Sequence, residues 1–144
     1  METLKIKKLN KKAILPTYGT EDSAGADLYA LLENDITVNP KESVIIPTGL
    51  AMAIPKGYVG LIYARSSLGT KRGLAPANKV GVIDADYRGE VKVVLYNQSN
   101  IVQTISPNER IAQIIITPYL KVDFTESDML DETTRGEGGF GSTN

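Results

Sequence analysis

Short apolar runs that alternate with glycine and proline turn signals constrain the fold of this 144-residue chain more than any other feature. Runs rich in Val and Ile, as in β-strands, occur at Ser43–Pro47, Leu50–Ile54, Tyr58–Tyr63, Glu90–Asn97, Ile101–Ile105 and Arg110–Thr117. No segment shows the apolar periodicity of an amphipathic helix longer than about three turns. The sequence therefore predicts an all-β fold, a compact sandwich or barrel.

Two segments differ from this β pattern. The best helical candidate is Ser66–Lys71, which a serine N-cap would begin and Gly73 would end. The final stretch is rich in glycine and acidic residues and contains few apolar side chains. We therefore expect a core over residues 1–126 and a flexible C-terminal arm over residues 127–144.

The chain contains no histidine and no cysteine, which excludes several kinds of active site. A Ser-His-Asp triad, a Cys-His pair and a zinc site with thiolate or imidazole ligands are all impossible. The groups left for catalysis are carboxylates, hydroxyls, backbone N–H groups, Arg and Lys, together with a hard cation such as Mg²⁺. This inventory suits phosphate chemistry.

Net charge and hydropathy predict the cellular location of the protein and the kinds of partner it lacks. A formal charge of -1 and a pI near 5.5 argue against a broad cationic surface for nucleic acid. No segment approaches the roughly 20 apolar residues that a membrane span needs. We expect a cytoplasmic protein with no nucleic-acid partner and no membrane partner.

By composition alone the arm is a solvated tail, but its residue order suggests phosphate binding. It contains the sequence RGEGGFGST, from Arg135 to Thr143. The preceding strand and following helix of a Rossmann or P-loop turn are missing, so neither of those folds is predicted. Glycines nevertheless let backbone N–H groups approach phosphate oxygens, and Arg135, Ser142 and Thr143 add charge and donors. Phe140 has nothing local to pack on and could stack on a base.

Asp84 and Asp86 lie within GVIDADYRGEV and would share one face of an extended segment. Two interpretations stay open from these residues alone. The segment could be a β-turn with solvated acids. Alternatively, one carboxylate aligns and deprotonates a water, a role that a chain without histidine must give to another group. In that case the ring of Tyr87 could press against a ligand.

Three shorter segments are ambiguous when each is taken alone. Arg65 and the serines of ARSSLG could bind an anion at a helix start, or the serines could only cap the helix. Asp27, within AGADL, could hold a metal or end a turn. Gln113, within ERIAQ, is a polar residue in an apolar strand and needs a partner from the core or from a ligand.

Taken together and in order, AGADL, ARSSLG, GVIDADYRGEV, ERIAQ and RGEGGFGST resemble the five motifs of the trimeric deoxyuridine triphosphatase family. The resemblance extends from Ala24 to Thr143, at spacings that the family uses. It implies a jelly-roll-like β-clip barrel and a homotrimer in which each active site is assembled from three chains. It also implies a Mg²⁺-dependent enzyme that hydrolyses dUTP to dUMP and pyrophosphate, limiting uracil in DNA and supplying dUMP for dTMP synthesis.

The resemblance assigns the attacking water, the sugar and the base to the third motif and the residues just before it. Asp84 would be the general base that holds the water. The ring of Tyr87 would lie beneath the deoxyribose and leave no room for a 2′-hydroxyl. The uracil edge would be recognised by Asn78, Gly81, Val82 and Ile83.

The other motifs would hold the metal and the phosphates. Asp27 would bind Mg²⁺ through water, with the triphosphate supplying the other oxygens. Arg65 and Gln113 would be catalytic, in contact with the phosphates or the attacking water. Substrate would also be bound by Ser66, Ser67 and Gly69, and by the arm residues Arg135, Phe140, Gly141, Ser142 and Thr143.

Two alternatives share the implied scaffold. A dCTP deaminase would bind a similar triphosphate but attack the base, and it would use a Glu there, whereas this hairpin has Asp84 and Tyr87. A non-catalytic regulatory trimer would keep the fold without the chemistry, because function resides in sites and not in folds.

Overall fold

Eleven β-strands and one short helix make up the regular structure of residues 3–142, the part of the chain that the computed structural model describes. The elements are β1 Lys5–Lys8, β2 Thr17–Tyr18, β3 Ala26–Tyr29, β4 Ile36–Val38, β5 Ser43–Ala53, β6 Tyr58–Tyr63, α1 Ser66–Gly69, β7 Leu74–Pro76, β8 Gly81–Ile83, β9 Glu90–Asn97, β10 Gln103–Ile105 and β11 Arg110–Pro118. Within residues 3–142, no helix is long and apolar enough to cross a membrane. The predicted all-β class is confirmed.

The strands pair into three sheets. One has the order β1-β5-β9-β7, a second has the order β2-β3-β11-β6-β8, and β10 pairs with β4 in a third. All of these pairings are antiparallel. The sheets stay open at their edges, so the jelly-roll-like arrangement does not close into a barrel.

The core lies between the inward faces of the two large sheets. Strand β9 alternates as its sequence predicts, with Val91, Val93 and Leu95 buried. Strand β11 is the central strand of its sheet, and Ile111 and Ile114 are buried there. Burial of such aliphatic side chains stabilises the fold by about 1.5–3 kcal/mol each.

Two of the predicted strands, Ser43–Pro47 and Leu50–Ile54, are wrong as separate elements, because β5 runs through both of them. The interruption is a register shift in the pairing with β9. The Thr48 hydroxyl donates to the Val91 carbonyl at 2.6 Å, and the Gly49 N–H donates to Glu90 Oε1 at 3.0 Å. These bonds replace the missing ladder bonds, so the chain bulges where the sequence suggested a break.

The helix is shorter than predicted, and its N-cap was predicted wrongly. It covers only Ser66–Gly69, its N-cap is Arg65, and no side chain caps it. Gly73, at φ +66, ends the turn after the helix, as its permissive backbone allows.

The longer predicted strands match the structure more closely than the shorter ones. The strands at 58–63 and 90–97 have their predicted bounds, the strand ending at Ile105 begins two residues late, and β11 extends to Pro118. The short strands β1, β2, β3, β4, β7 and β8 were not predicted. They have two to four residues each, too few for a period, and pairing with distant strands creates them.

We predict that Gly49→Ala destabilises the protein much more than Gly57→Ala. Both glycines have positive φ, of 70° and 88°, so each substitution costs about 1–2 kcal/mol of backbone strain. A Cβ at Gly49 would also lie 2.6 Å from Leu31 Cδ2 and 2.9 Å from Ala13 Cβ, whereas the space around Gly57 is open. Overpacking at Gly49 adds about 1–3 kcal/mol.

Urea unfolding of both variants measures this difference. Gly57→Ala is the matched control, because it has the same strain without the clash. Equal losses of unfolding free energy in the two variants would show that the bulge can move aside and does not constrain β5.

Candidate active site

Most of the predicted site residues of the core lie in two separate depressions. The first, here called the arginine pocket, has a volume of about 390 Å³ and is lined by Asp27, Arg65, Ser66, Arg110 and Gln113, among others. The second, here called the hairpin cleft, combines adjoining cavities of about 110 and 320 Å³ that share Val82, Ile83 and Lys92. It follows the β8 hairpin and also contains Asn78, Gly81, Asp84, Tyr87 and Glu90.

Asp27 is the centre of charge in the arginine pocket. Arg65 Nε donates to its Oδ1 at 2.7 Å, and Arg110 Nη1 donates to its Oδ2 at 3.4 Å. The Asp27 side chain is only 13% exposed, so these ion pairs are partly shielded from water. One carboxylate therefore holds two guanidinium groups side by side, which makes the pocket net cationic.

Gln113 lies beside Asp27 because β3 and β11 pair in register at these two residues. Its Nε2 donates to the Ala64 carbonyl at 2.9 Å, which provides the partner expected from the core. Within residues 3–142, no donor reaches its Oε1. That oxygen lies against Gly25, where a Cβ would be 3.1 Å from the Gln113 Cδ and closer still to Oε1. Gly25 is thus required for Gln113 to reach the pocket.

The helix residues play different parts from one another. Ser66 is exposed at the first position of α1 and lines the arginine pocket. The Ser67 hydroxyl instead accepts from Arg65 Nη1 at 3.1 Å, and the Gly69 N–H donates to the Arg65 carbonyl at 2.8 Å. Ser67 and Gly69 therefore hold Arg65 and its turn, and the structure does not place them among the residues lining the pocket.

The hairpin cleft is built on the pairing of β8 with β6. Gly81 faces Ile62, where a Cβ would lie 3.2 Å from the Ile62 Cβ, so the two strands pack closely. Asn78 is exposed at the start of the hairpin, and Val82 is 60% exposed beside it. The predicted base-recognition residues therefore line one cavity, in which Asn78 and Val82 are exposed, Ile83 is half-buried and Gly81 is buried.

Asp84 and Tyr87 end this cleft. Asp84 is exposed, and among the described residues its carboxylate has no ion pair and no hydrogen bond. The Tyr87 N–H donates to the Asp84 carbonyl at 3.1 Å, and the Tyr87 hydroxyl donates to the Glu90 carbonyl at 2.9 Å. The turn thus presents a free carboxylate next to a fixed aromatic ring.

One chain does not bring the two depressions together. In the sheet, Gln113 pairs with Tyr63 at one end of β6, whereas Ile83, which precedes Asp84, pairs with Gly60. This offset of three residues corresponds to about 10 Å along the strand, and β6 also lies between β8 and β11. The arginine pocket and the hairpin cleft have no lining residue in common.

The described part of the arm, residues 127–142, makes hydrogen bonds only within itself. Arg135 Nε donates to the Gly138 carbonyl at 2.8 Å, and the Phe140 side chain is fully exposed. Gly141 has a positive φ, and Ser142 is exposed. Thr143, predicted to bind substrate, lies outside the described residues.

Arg110 and Glu109 contribute to the site in ways that were not predicted. Arg110 had no assigned role, although it precedes Gln113 in ERIAQ and could have been recognised as a second cation.

Glu109 forms an ion pair with Arg72, whose guanidinium also donates to the Thr104 carbonyl and, at 3.3 Å, to Gln103 Oε1. These contacts brace the turn from which β11 begins. Nothing local in the sequence indicates them.

Comparisons with known proteins agree with this arrangement. A family model described as dUTPase matches residues 11–144. The deoxyuridine 5'-triphosphate nucleotidohydrolase of Finegoldia magna is 48% identical over 141 residues, covering 97% of this chain and 99% of that protein. Its counterpart from Rickettsia akari is 50% identical over 141 residues, covering 97% and 95%. The dUTPase of Staphylococcus bacteriophage 80alpha, solved with dUPNHPP, has a TM-score of 0.90 at 28% identity and covers 100% of this chain and 99% of that one.

The match covers both halves of the site. The family model includes the arginine pocket, the hairpin cleft and the arm, and the curated relatives align over almost their full length. The family predicted from the five motifs is confirmed: this chain belongs to the dUTPase family.

Proposed function

We propose that this protein hydrolyses dUTP to dUMP and pyrophosphate by attack of water on the α-phosphorus. The observation that carries the proposal is the exposed carboxylate of Asp84, which has no ion pair or hydrogen bond within residues 3–142 and lies at the end of a narrow hairpin cleft beside the ring of Tyr87. An exposed carboxylate without a partner can accept a proton from a bound water. The relatives named as deoxyuridine 5'-triphosphate nucleotidohydrolases support this substrate.

The hairpin cleft would select the nucleoside. Its narrow part, about 110 Å³, suits a planar pyrimidine whose edge meets Asn78 and the backbone of Gly81–Ile83. A 5-methyl group would clash there, and a cytosine amine would lack its acceptor. The Tyr87 ring would lie under the sugar and exclude a 2′-hydroxyl by contact.

The arginine pocket would bind the phosphates. Arg65 and Arg110 present adjacent guanidinium groups, and each retains donors beyond those given to Asp27. Ser66 and the Gln113 amide add further polar groups. Donors fixed before the substrate arrives stabilise the charge that develops on phosphate oxygens, and no covalent intermediate is required.

Mg²⁺ would enter with the triphosphate. Among the described residues there is no group of three or more acidic side chains that could hold a metal, and Asp27 already accepts from two arginines. These residues fit an ion that keeps its own waters and takes most ligands from phosphates. Asp27 would then contact the ion through water, and the ion would neutralise part of the triphosphate charge.

A homotrimer would complete each site. The separation of the arginine pocket from the hairpin cleft within one chain supports sites built between chains, with the cleft of one subunit facing the pocket of another. Residues 127–144 would form an arm that closes over a neighbouring site, with Arg135, Ser142 and Thr143 on the outer phosphates and Phe140 on the base. The exposure of the arm's described side chains and its lack of hydrogen bonds to the core support this role.

The proposed reaction limits uracil incorporation into DNA and supplies dUMP for dTMP synthesis. A cytoplasmic location would suit it, because its substrate belongs to the free nucleotide pool. Neither nucleic acid nor membrane is needed as a partner.

We predict that pyrophosphate release from dUTP exceeds release from dTTP, dCTP and UTP by at least about a hundredfold. The methyl group of dTTP and the 2′-hydroxyl of UTP would be rejected by steric contact, and the amine of dCTP would be left without an acceptor. Chelation of Mg²⁺ should abolish the reaction. Measurement of pyrophosphate and ammonia over the four nucleotides tests this, and ammonia from dCTP would instead establish a deaminase.

Two variants serve as controls in the same assay. Asp84→Asn should lose at least about a hundredfold in turnover, as expected when a general base is removed. Asp86→Asn should be much milder, since Asp86 has no assigned step and lies outside the hairpin cleft, in an adjoining depression that Asp84 also lines. Normal turnover in Asp84→Asn would contradict the proposed mechanism. If the wild-type protein itself released no pyrophosphate from dUTP, a regulatory trimer would be favoured instead.

We also predict that two inactive variants complement each other. Deletion of residues 133–144 removes the glycine-rich part of the arm, and Asp84→Asn removes the base, so each protein alone should be nearly inactive. A trimer that takes the base from one chain and the arm from another regains intact sites on mixing. Random assembly restores roughly a quarter of the sites.

Refolding of the two variants together, followed by the dUTP assay, measures the recovery. The deletion removes little apolar surface, so the variant should keep the wild-type melting temperature and still assemble as a trimer. A mixture as inactive as its components would mean that base and arm come from the same chain. Full activity of the deletion variant would mean that the arm is only a tail.

A further inference from the structure

We infer that Gly89 is a specificity-determining residue, because its missing side chain and the carbonyl of Glu90 together fix the position of the Tyr87 ring. This rests on the proposed function, in which that ring contacts the sugar. Gly89 would thereby set the discrimination between deoxyribose and ribose without touching the nucleotide.

The Tyr87 ring lies directly over Gly89. A Cβ built on Gly89 would be 2.5 Å from the Tyr87 hydroxyl oxygen, 2.6 Å from Cζ and 2.9 Å from Cε2. Carbon atoms in van der Waals contact are about 3.5–4.0 Å apart, so any side chain at this position must displace the ring by roughly 1 Å. The ring therefore packs directly against the backbone of its own turn.

The backbone conformation does not explain a glycine here. Gly89 is not among the residues with positive φ, which are the positions where a glycine is needed for the turn itself. Alanine would be compatible with the local φ, and its cost would come from the ring alone. The close approach to Tyr87 is thus the physical requirement for Gly89.

The hydroxyl fixes the far end of the ring. It donates to the Glu90 carbonyl at 2.9 Å, while the Tyr87 N–H donates to the Asp84 carbonyl at 3.1 Å. Tyr87 is 43% exposed and lines the hairpin cleft together with Asp84. Tyr87 is therefore held at its backbone and at its hydroxyl, with the hydroxyl end of the ring against Gly89 and other parts of its surface open to the cleft.

The acceptor carbonyl is itself immobilised by the core. Glu90 pairs with Ala51 on β5, and its Oε1 accepts from the Gly49 N–H at 3.0 Å. The next residue, Val91, is 1% exposed, and its carbonyl accepts from the Thr48 hydroxyl at 2.6 Å. The hydroxyl of Tyr87 is thus bonded to the first residue of β9, which hydrogen bonds from the bulge of β5 hold in place.

Displacement of the ring should affect the two sugars in opposite ways. Deoxyribose loses its contact surface when the ring moves, whereas ribose loses the obstacle to its 2′-hydroxyl. A shift of roughly 1 Å is comparable to the space that an added oxygen needs. The ratio of kcat/KM for dUTP to that for UTP is therefore the quantity that reports the ring position.

The test compares this ratio in Gly89→Ala, Tyr87→Ala and the double variant. We expect Gly89→Ala to lower the ratio at least about tenfold. In the double variant the new methyl group has no ring to displace, so the ratio should equal that of Tyr87→Ala. Such non-additivity identifies residues that act through one contact. Gly57→Ala, in an exposed turn with open space around it, should keep the wild-type ratio.

Tyr87→Phe gives a second route that leaves the turn unchanged. It removes only the hydroxyl that is bonded to Glu90, and we expect a fall of about two- to fivefold in the ratio with an unchanged melting temperature. If Gly89→Ala folds poorly, Tyr87→Phe still tests whether the position of the ring sets the ratio.

The outcomes separate the inference from the proposed function. An unchanged ratio in Tyr87→Ala would remove the ring from sugar selection and contradict the proposed function at this point. A lower ratio in Tyr87→Ala, with wild-type ratios in both Gly89→Ala and Tyr87→Phe, would overturn the inference alone. Additive effects of Gly89→Ala and Tyr87→Ala would overturn it as well, because Gly89 would then act through some other contact.

Discussion

The pairing of β11 with β3 on one side and β6 on the other is the constraint on which the site depends. It places Gln113 opposite both Asp27 and Tyr63, and so fixes the arginine pocket. Because β6 also carries β8, the same pairing sets the distance from the pocket to the hairpin cleft. A one-residue change of register would alter this distance only by turning every side chain of the strand to the other face. This separation supports the proposal that sites are shared between chains.

Because the chain contains no histidine and no cysteine, the proposed reaction depends on charged groups. The protein separates its charges accordingly: Asp27 is neutralised by two arginines, whereas Asp84 is exposed and has no partner among the described residues. A paired carboxylate positions cations, and a free one is available to accept a proton. In the proposed mechanism the same residue type thus serves two purposes, and its surroundings decide which.

The bulge in β5 links the stability of the core to the proposed selectivity. Thr48 and Gly49 make hydrogen bonds to β9 at the point where the ladder is interrupted. Those bonds fix the start of β9, and the carbonyl there accepts from the Tyr87 hydroxyl. Bulges commonly redirect a strand near functional sites. Here the bulge supports the turn that holds Tyr87 beside Asp84.

The sequence by itself determined the all-β class, the strands at 58–63 and 90–97, and the residue types available for catalysis, since these follow from local periodicity and composition. The order of the motifs also identified the family. Only the tertiary structure decided that Asp27 holds Arg65 and Arg110, that Ser67 serves Arg65, and that Tyr87 rests on Gly89. It also joined the two predicted strands of β5. The reason is that hydrogen-bond partners far apart in sequence are chosen by strand register, which no local pattern encodes.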